Sequence, residues 1–155
     1  MSRGDAGRRR VLAVASGGGH WVQLRRIAPA FEAHDLRYVT VNESYRADVP
    51  DRTLYLVRDS TRWDKLGMLL LGLELLRIFV RVRPHVVVST GAAPGCLAIF
   101  LGRVFGARTI WLDSIANVDE VSMSGRLVRR AAGLWLTQWS HLATEDGPEY
   151  AGRVF

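Results

Sequence analysis

Two hydrophobic periodicities alternate along the chain. Short apolar runs with little polar alternation are typical of strands in a parallel sheet, and they predict strands over residues 11–15, 36–41, 53–57, 86–89, 108–112 and 134–138. Helices are predicted from Trp21 to about His34, over 61–81, from the turn at 90–95 to Gly106, and over 125–132. Strands that alternate with helices predict an α/β fold: a parallel sheet with helices on both faces.

Local signals mark the helix boundaries. The segment from Thr61 to Asp64 resembles a capping box that opens a long helix, and Pro84 stops that helix. Pro94 suits the first turn of the next helix, and Gly106 suits its end.

The length fits one domain. A chain of 155 residues, of which 48% are hydrophobic and 23% charged, can bury a core and has no stretch with the composition of disorder. We expect a polar, arginine-rich N-terminus over residues 1–9 and a single Rossmann-like domain over residues 10–155.

Charge and cysteine content narrow the possible partners. The formal net charge is +6, with Lys65 as the only lysine, which favours nucleic acid, phosphate-bearing substrates or an anionic membrane face. Cys96 is the only cysteine, and His34, His85 and His141 lie in separate contexts, so neither a metal site nor a cofactor is expected. The N-terminus has no signal-peptide pattern, and we therefore expect a cytoplasmic location.

Three polar, glycine-bearing loops follow predicted strands, at residues 16–20, 89–95 and 113–117. Ligands of parallel sheets bind outside the carboxyl ends of the strands, so one crevice lined by all three loops is expected. The first loop, Ser16-Gly17-Gly18-Gly19-His20, lies between a strand and a helix. Its glycines let the backbone approach a ligand, and the free N–H groups at the helix start attract a phosphate or diphosphate.

Two nucleotide uses of the glycine loop are disfavoured. A dinucleotide site would place Glu43 on a ribose, but Val22 stands where the G-x-G-x-x-G pattern has its third glycine. No Walker lysine follows the glycines, which argues against an NTPase. A tight turn without a ligand is the structural alternative.

Within the helix predicted over 61–81, the run at residues 66–80 is strongly apolar but shorter than a membrane span, and it contains Glu74 and Arg77. It fits either a buried core helix or a helix whose apolar face enters one leaflet. Flanking cationic residues favour the second interpretation without deciding it: Arg58, Arg62, Lys65, Arg81 and Arg83.

A series of short motifs carries a family resemblance. They are Ser16-Gly17-Gly18-Gly19-His20, Ser89-Thr90-Gly91, Asp113-Ser114, Ser122-Met123-Ser124-Gly125-Arg126, Gln138-Trp139 and Tyr150-Ala151-Gly152. With these, the chain resembles the bacterial counterpart of asparagine-linked glycosylation protein fourteen and the related small exopolysaccharide subunits. That family is similar to the N-terminal half of the peptidoglycan GlcNAc transferase.

The resemblance implies one half of an inverting GT-B glycosyltransferase split between two polypeptides. This half would bind a polyprenyl-diphosphate-sugar acceptor and dock peripherally on the inner face of the plasma membrane. A separate subunit would hold the UDP-sugar, with GlcNAc or glucuronic acid as the transferred sugar. The chain would thus be a transferase subunit of polysaccharide or lipid-linked oligosaccharide biosynthesis, active only with its partner.

Candidate site residues combine the loops with the resemblance. The expected substrate-binding residues are Ser16, Gly17, Gly18, Gly19, Thr90, Gly91, Ser114 and Asn117. The candidate catalytic residues are His20, at a helix start, and Asp113, a carboxylate suited to take the proton of the attacking sugar hydroxyl. The alternatives are a capping or packing histidine and an aspartate that caps the next turn. A partner surface is expected at Gln138, Trp139 and Tyr150, because aromatic residues are enriched in interface cores.

The chain departs from the family pattern in two places. Eukaryotic members carry an N-terminal membrane anchor where residues 1–10 are charged here, and the family commonly has glutamate where this chain has Asp113.

Two rival functions also stand. One is a non-catalytic membrane-docking module that recruits the catalytic partner. The other is a nucleic-acid binder, which the net charge suggests but no motif supports, so no nucleic-acid partner is expected.

Overall fold

Seven parallel strands form one sheet in the computed structural model, which describes residues 7–155. The strands are β1 (Arg10–Val14), β2 (Asp35–Thr40), β3 (Leu54–Leu56), β4 (Val86–Ser89), β5 (Arg108–Leu112), β6 (Leu134–Thr137) and β7 (Glu149–Tyr150). All their carboxyl ends therefore lie at one edge. The arginine-rich N-terminus predicted for residues 1–9 lies, up to residue 6, outside the described residues.

Four α-helices connect the strands in the part of the chain that the structure describes. They are α1 (Gly19–Ile27), α2 (Lys65–Val82), α3 (Ala92–Val104) and α4 (Met123–Val128). Short 3₁₀ helices cover Ala28–Phe31, Glu43–Asp48 and Ser140–Leu142.

The strand order is β3-β2-β1-β4-β5-β6-β7. The chain winds from β1 outward to β3, returns along α2, and then winds outward from β4 in the other direction. Neighbouring strands β1 and β4 thus have connections that diverge, which is the place where doubly wound sheets bind ligands, and we call this place the crevice. Val14 pairs with Ser89 there, so the loops that follow these two residues are neighbours.

Each face of the sheet has its own core, because successive residues of a strand point to opposite faces. Leu12 and Val14 of β1 pack in one core with residues of α2, α3 and α4. Val11 and Ala13 pack in the other core with Trp21 and Leu24 of α1. The predicted parallel sheet with helices on both faces is confirmed.

The start of α2 differs from the prediction. A capping box would make Thr61 the N-cap and place Asp64 inside the helix, but Asp64 is itself the N-cap. Its carboxylate accepts a hydrogen bond from the Gly67 N–H at 2.9 Å. A Cβ at Gly67 would overlap this carboxylate, so the sequence Asp-x-x-Gly permits the cap. The helix ends as expected, with Arg83 in the left-handed region (φ 48°) before Pro84.

The other differences are short segments. Helix α4 begins at Met123 rather than Gly125, because the Ser122 hydroxyl accepts a hydrogen bond from the Gly125 N–H at 2.8 Å. The helix predicted from Trp21 to about His34 ends as α1 at Ile27 and continues only as the 3₁₀ helix Ala28–Phe31. The other two 3₁₀ helices and β7 were not predicted, since so few residues show no periodic pattern.

Candidate active site

His20 and Thr90 join the two loops that flank the crevice. The His20 Nδ1 lies 2.9 Å from the Thr90 carbonyl oxygen, and the Thr90 hydroxyl donates to the His20 carbonyl oxygen at 2.6 Å. A carbonyl oxygen only accepts hydrogen bonds, so Nδ1 carries the hydrogen. In the neutral ring the lone pair is therefore on Nε2, which forms no hydrogen bond with any described residue. The histidine is thus oriented by protein contacts through one nitrogen and can receive a proton at the other.

Gly91 makes room for the His20 ring. Its φ is 143°, a conformation that favours glycine, and a Cβ at this position would overlap the imidazole. Thr90 is fully buried. Both residues were expected to bind substrate, and in the structure both contact His20.

Tyr45 covers one side of the glycine loop. Its hydroxyl oxygen accepts a hydrogen bond from the Gly18 N–H at 2.8 Å. The phenol ring stacks on Trp21 with centroids 4.7 Å apart, and the Trp21 Nε1 donates to Asp48 at 2.8 Å. The Gly18 N–H, which was expected to face an anion, is therefore already bonded to the Tyr45 hydroxyl oxygen. Sequence reasoning missed Tyr45, although Asn42, the cap of its 3₁₀ helix, signalled an ordered turn.

Asp113 directly follows β5 and is only 2% exposed. Its carboxylate accepts hydrogen bonds from the Ser122 N–H at 2.7 Å, the Ser122 hydroxyl at 2.5 Å and the Trp111 Nε1 at 3.3 Å. Both oxygens are thus bonded within the chain and fix the loop that leads into α4. These are the contacts expected of the turn-capping alternative, and they make Asp113 less suited than His20 to receive a substrate proton.

Gln23 of α1 connects the helix to the loop after β5. It is buried, its Nε2 donates to the Ser114 hydroxyl at 3.1 Å, and its Oε1 accepts from the Ile115 N–H at 3.0 Å. Ser114 therefore bonds to the protein interior. Sequence reasoning missed Gln23; a polar residue between Trp21 and Leu24 on an apolar helix face was the available signal.

Gln138 is fully buried, which corrects its expected place on a partner surface. Its Nε2 donates to the Asp113 carbonyl oxygen, and its Oε1 accepts from the Val154 N–H, both at 3.0 Å. It ties the C-terminal segment to the crevice loops. Trp139 is half-buried and Tyr150 is 43% exposed, so these two remain at the surface.

Ser16 and Asn117 lie at the ends of the same loop system. The Ser16 carbonyl oxygen accepts from the Thr40 hydroxyl at 2.6 Å, and the Asn117 N–H donates to the Ser114 carbonyl oxygen at 3.1 Å. Both residues are partly exposed, and the hydrogen bonds that they form with the described residues involve only their backbone atoms. The structure therefore brings residues 16–20, 89–91 and 113–114 to one edge, as the loop positions predicted.

Helix α2 has two apolar sides. One packs in the core through Leu71, Leu75 and Phe79. The other, which we call the α2 stripe, is between 38% and 67% exposed and consists of Leu66, Leu69, Leu73, Leu76 and Val80. One side of the helix is therefore core, as the first interpretation predicted, and the other is an exposed apolar surface. Within residues 7–155, no helix has the length and apolar character needed to cross a membrane.

No family model matches the sequence. The UDP-N-acetylglucosamine transferase subunit ALG14 of Homo sapiens is 24% identical over 181 aligned positions, which cover 93% of this chain and 82% of that protein. MurG of Acinetobacter baumannii has the same fold, with a TM-score of 0.75 at 11% identity over 92% of this chain. The chain is thus similar to ALG14 over nearly its whole length.

The family resemblance and the GT-B type of fold expected from the motifs are thus confirmed. A glycosyltransferase of Rickettsia africae is a further structural neighbour, with a TM-score of 0.66 and 13% identity over 95% of this chain. The ALG14-like chain spans 45% of MurG and 43% of the Rickettsia protein. It therefore corresponds in extent to less than half of either protein.

Proposed function

We propose that the ALG14-like chain is the acceptor-binding subunit of a two-component, inverting glycosyltransferase. Residues 10–155 form its single domain, and a separate polypeptide supplies the UDP-sugar pocket. The sugar, GlcNAc or glucuronic acid, passes to a polyprenyl-diphosphate-linked acceptor. The observation that carries this proposal is the ring of His20, fixed by Thr90 at the crevice between β1 and β4.

His20 is the proposed general base. The acceptor hydroxyl attacks the anomeric carbon of the UDP-sugar, the bond from that carbon to UDP breaks, and the hydroxyl proton passes to Nε2. A positioned base of this kind contributes about 10²–10⁴-fold to the rate. Asp113 supports the site by holding the loop that ends at Ser122.

The glycine loop is the proposed binding site of the acceptor diphosphate. The backbone N–H groups at Gly19 and His20 lie in the first turn of α1, where the helix dipole favours an anion. Tyr45, bonded to the Gly18 N–H, borders this place. Because its oxygen accepts that hydrogen bond, its own O–H remains able to donate to a phosphate oxygen.

Peripheral membrane docking is proposed for the α2 stripe. Arg62, Lys65 and Arg81 are exposed near its two ends, as expected for a helix that lies among anionic headgroups. Arg62 also contacts Met123 of α4, and Met123 and Leu127 extend the exposed apolar surface. Because α4 is capped by Ser122, which binds Asp113, this surface lies beside the crevice where a lipid-linked acceptor would enter.

The partner subunit is proposed from the likeness to human ALG14. Human ALG14 is by name a subunit of a UDP-N-acetylglucosamine transferase. Trp139 and Tyr150 are proposed to contact the partner. With the docking proposed for the α2 stripe, the proposed location of the chain is the inner face of the plasma membrane.

The experiment is sugar transfer from UDP-GlcNAc or UDP-glucuronic acid to a polyprenyl-diphosphate-GlcNAc acceptor. The chain is assayed alone and co-purified with a polypeptide resembling the nucleotide-sugar half of a GT-B enzyme. We expect turnover only with the pair, and His20→Ala should lower kcat by about 10²-fold or more with folding retained. Asp113→Asn should instead lower the melting temperature, because it weakens the Ser122 contacts.

Full transfer by the chain alone would refute the split enzyme. Unchanged kcat in His20→Ala, with membrane recruitment intact, would favour the docking-module alternative, which the exposed α2 stripe independently supports.

A further inference from the structure

A second cleft lies at the opposite edge of the sheet from the crevice, where the strands begin. We call it the basic cleft. It has a volume of about 400 Å³, and its charged and titratable lining residues are Arg9, Arg10, Arg83, His85 and Arg108. No carboxylate belongs to its lining within residues 7–155. The function proposed above does not use these residues.

Backbone contacts hold the basic cleft in shape. The Arg10 Nε donates to the Arg83 carbonyl oxygen at 2.9 Å, which fixes the Arg10 guanidinium against the backbone of Arg83. The Arg10 N–H donates to the His85 Nδ1 at 3.0 Å. Because Nδ1 accepts a hydrogen bond, the hydrogen of the neutral ring is on Nε2, and His85 presents a donor.

The arginines of the basic cleft have no ion-pair partner within the described residues. The ion pairs within residues 7–155 do not include Arg9, Arg10, Arg83 or Arg108. Asp35 begins β2 at the same edge, but it pairs with Arg37 at 2.8 Å. The Arg37 hydrogen bond lowers the pKa of Asp35, to which Arg8 and Arg10 add a smaller effect, so this carboxylate stays ionised and engaged with Arg37.

We propose that the basic cleft binds a phosphate-bearing anion, either a lipid headgroup or a free polyphosphate. Several arginines that line one cleft without a carboxylate suit phosphate oxygens, to which arginine donates in pairs. A neighbouring cleft of about 670 Å³ shares Arg9 and Arg108 and has an apolar floor that includes Val11 and Ile110. Space for an apolar group therefore adjoins the phosphate site. The site is separate from the glycine loop and does not depend on the proposed transferase activity.

The test compares two variants of the full chain with equal net charge. The cleft variant combines Arg9→Ser, Arg83→Asn and Arg108→Thr; asparagine tolerates the left-handed backbone of Arg83, and threonine suits a strand. The control variant combines Arg25→Ser, Arg129→Ser and Arg153→Ser, which are exposed or partly exposed residues outside the cleft. Thermal melting of both variants verifies folding.

Two probes distinguish the sources of phosphate. Inorganic triphosphate is titrated by calorimetry, and vesicles of phosphatidylcholine with or without phosphatidylglycerol are sedimented with the protein. We expect the cleft variant to bind one or both anionic probes roughly tenfold more weakly, and the control variant to lose much less. Loss confined to triphosphate identifies a free polyphosphate, and loss confined to anionic vesicles identifies a headgroup. Equal losses in both variants, or no loss in the cleft variant, would overturn the proposal.

Discussion

At the scale of single residues, the candidate site depends on which groups are already bonded within the protein. His20 uses Nδ1 for Thr90 and has Nε2 available, whereas Asp113 has both oxygens bonded to Ser122 and Trp111. Both residues were predictable from their places after strand ends. Their hydrogen-bond partners were not, because Ser122 lies in a loop without periodicity, and a sequence does not show which oxygen faces which donor.

Gly91 tests how strictly the His20 ring must be held. Gly91→Ala should place a Cβ in the space of the imidazole and force alanine to a φ of 143°. We expect a loss of about 1–3 kcal/mol of unfolding free energy and a marked loss of kcat in the reconstituted pair. Thermal melting and steady-state kinetics measure the two effects.

Gly106→Ala is the matched control for Gly91→Ala. Gly106 also has a positive φ, of 74°, but no atom lies within 4 Å of an added Cβ. It should cost about 1 kcal/mol of backbone strain and leave kcat unchanged. If Gly91→Ala kept full kcat, close packing against His20 would have no role in turnover.

At the scale of elements, hydrophobic periodicity located every strand of the sheet from β1 to β6 and all four helices. It failed at boundaries set by side chains. The cap of α2 is Asp64 rather than Thr61, because the glycine at position 67 lets the carboxylate fold back onto the helix. Strand β7 has two residues and pairs only with β6, so no local pattern distinguishes it from a loop.

The cap assignment makes a stability prediction. Asp64→Ala should remove the bond to the Gly67 N–H and lower the free energy of unfolding by about 1 kcal/mol. Thr61→Ala, at an exposed residue outside the helix, should change it by less than about 0.5 kcal/mol. Urea unfolding of both variants measures the two changes. A larger loss of unfolding free energy in Thr61→Ala than in Asp64→Ala would indicate that Thr61 is the N-cap.

At the scale of the whole molecule, two different surfaces matter for function. Its α2 side presents apolar residues to solvent, and its carboxyl edge presents the crevice. The sequence predicted the parallel sheet and the meeting of the loops, since both follow from the alternation of strands and helices. It left open which side of α2 is buried, because leucines occur all around that helix and only packing against β1 and α3 selects one side.

Membrane docking through the α2 stripe predicts a specific loss of vesicle binding. Leu69 is 61% exposed within the stripe, and Leu69→Glu should lower partitioning onto anionic vesicles roughly tenfold or more, because an apolar contact becomes a charge. Phe155→Glu, which adds the same charge beside Arg26 on the α1 side, should have little effect. Sedimentation measures both, and equal binding by Leu69→Glu and the unaltered chain would remove the stripe from the docking surface.

The division of substrates between two polypeptides is tested most directly by calorimetry of the chain alone. It is titrated in parallel with a GlcNAc-diphosphate that bears a short isoprenoid chain and with UDP-GlcNAc. We predict that the chain binds the isoprenoid compound, that His20→Ala weakens this binding, and that UDP-GlcNAc binds only when the partner is added. Binding of UDP-GlcNAc by the chain alone, without binding of the isoprenoid diphosphate, would contradict an acceptor-binding subunit.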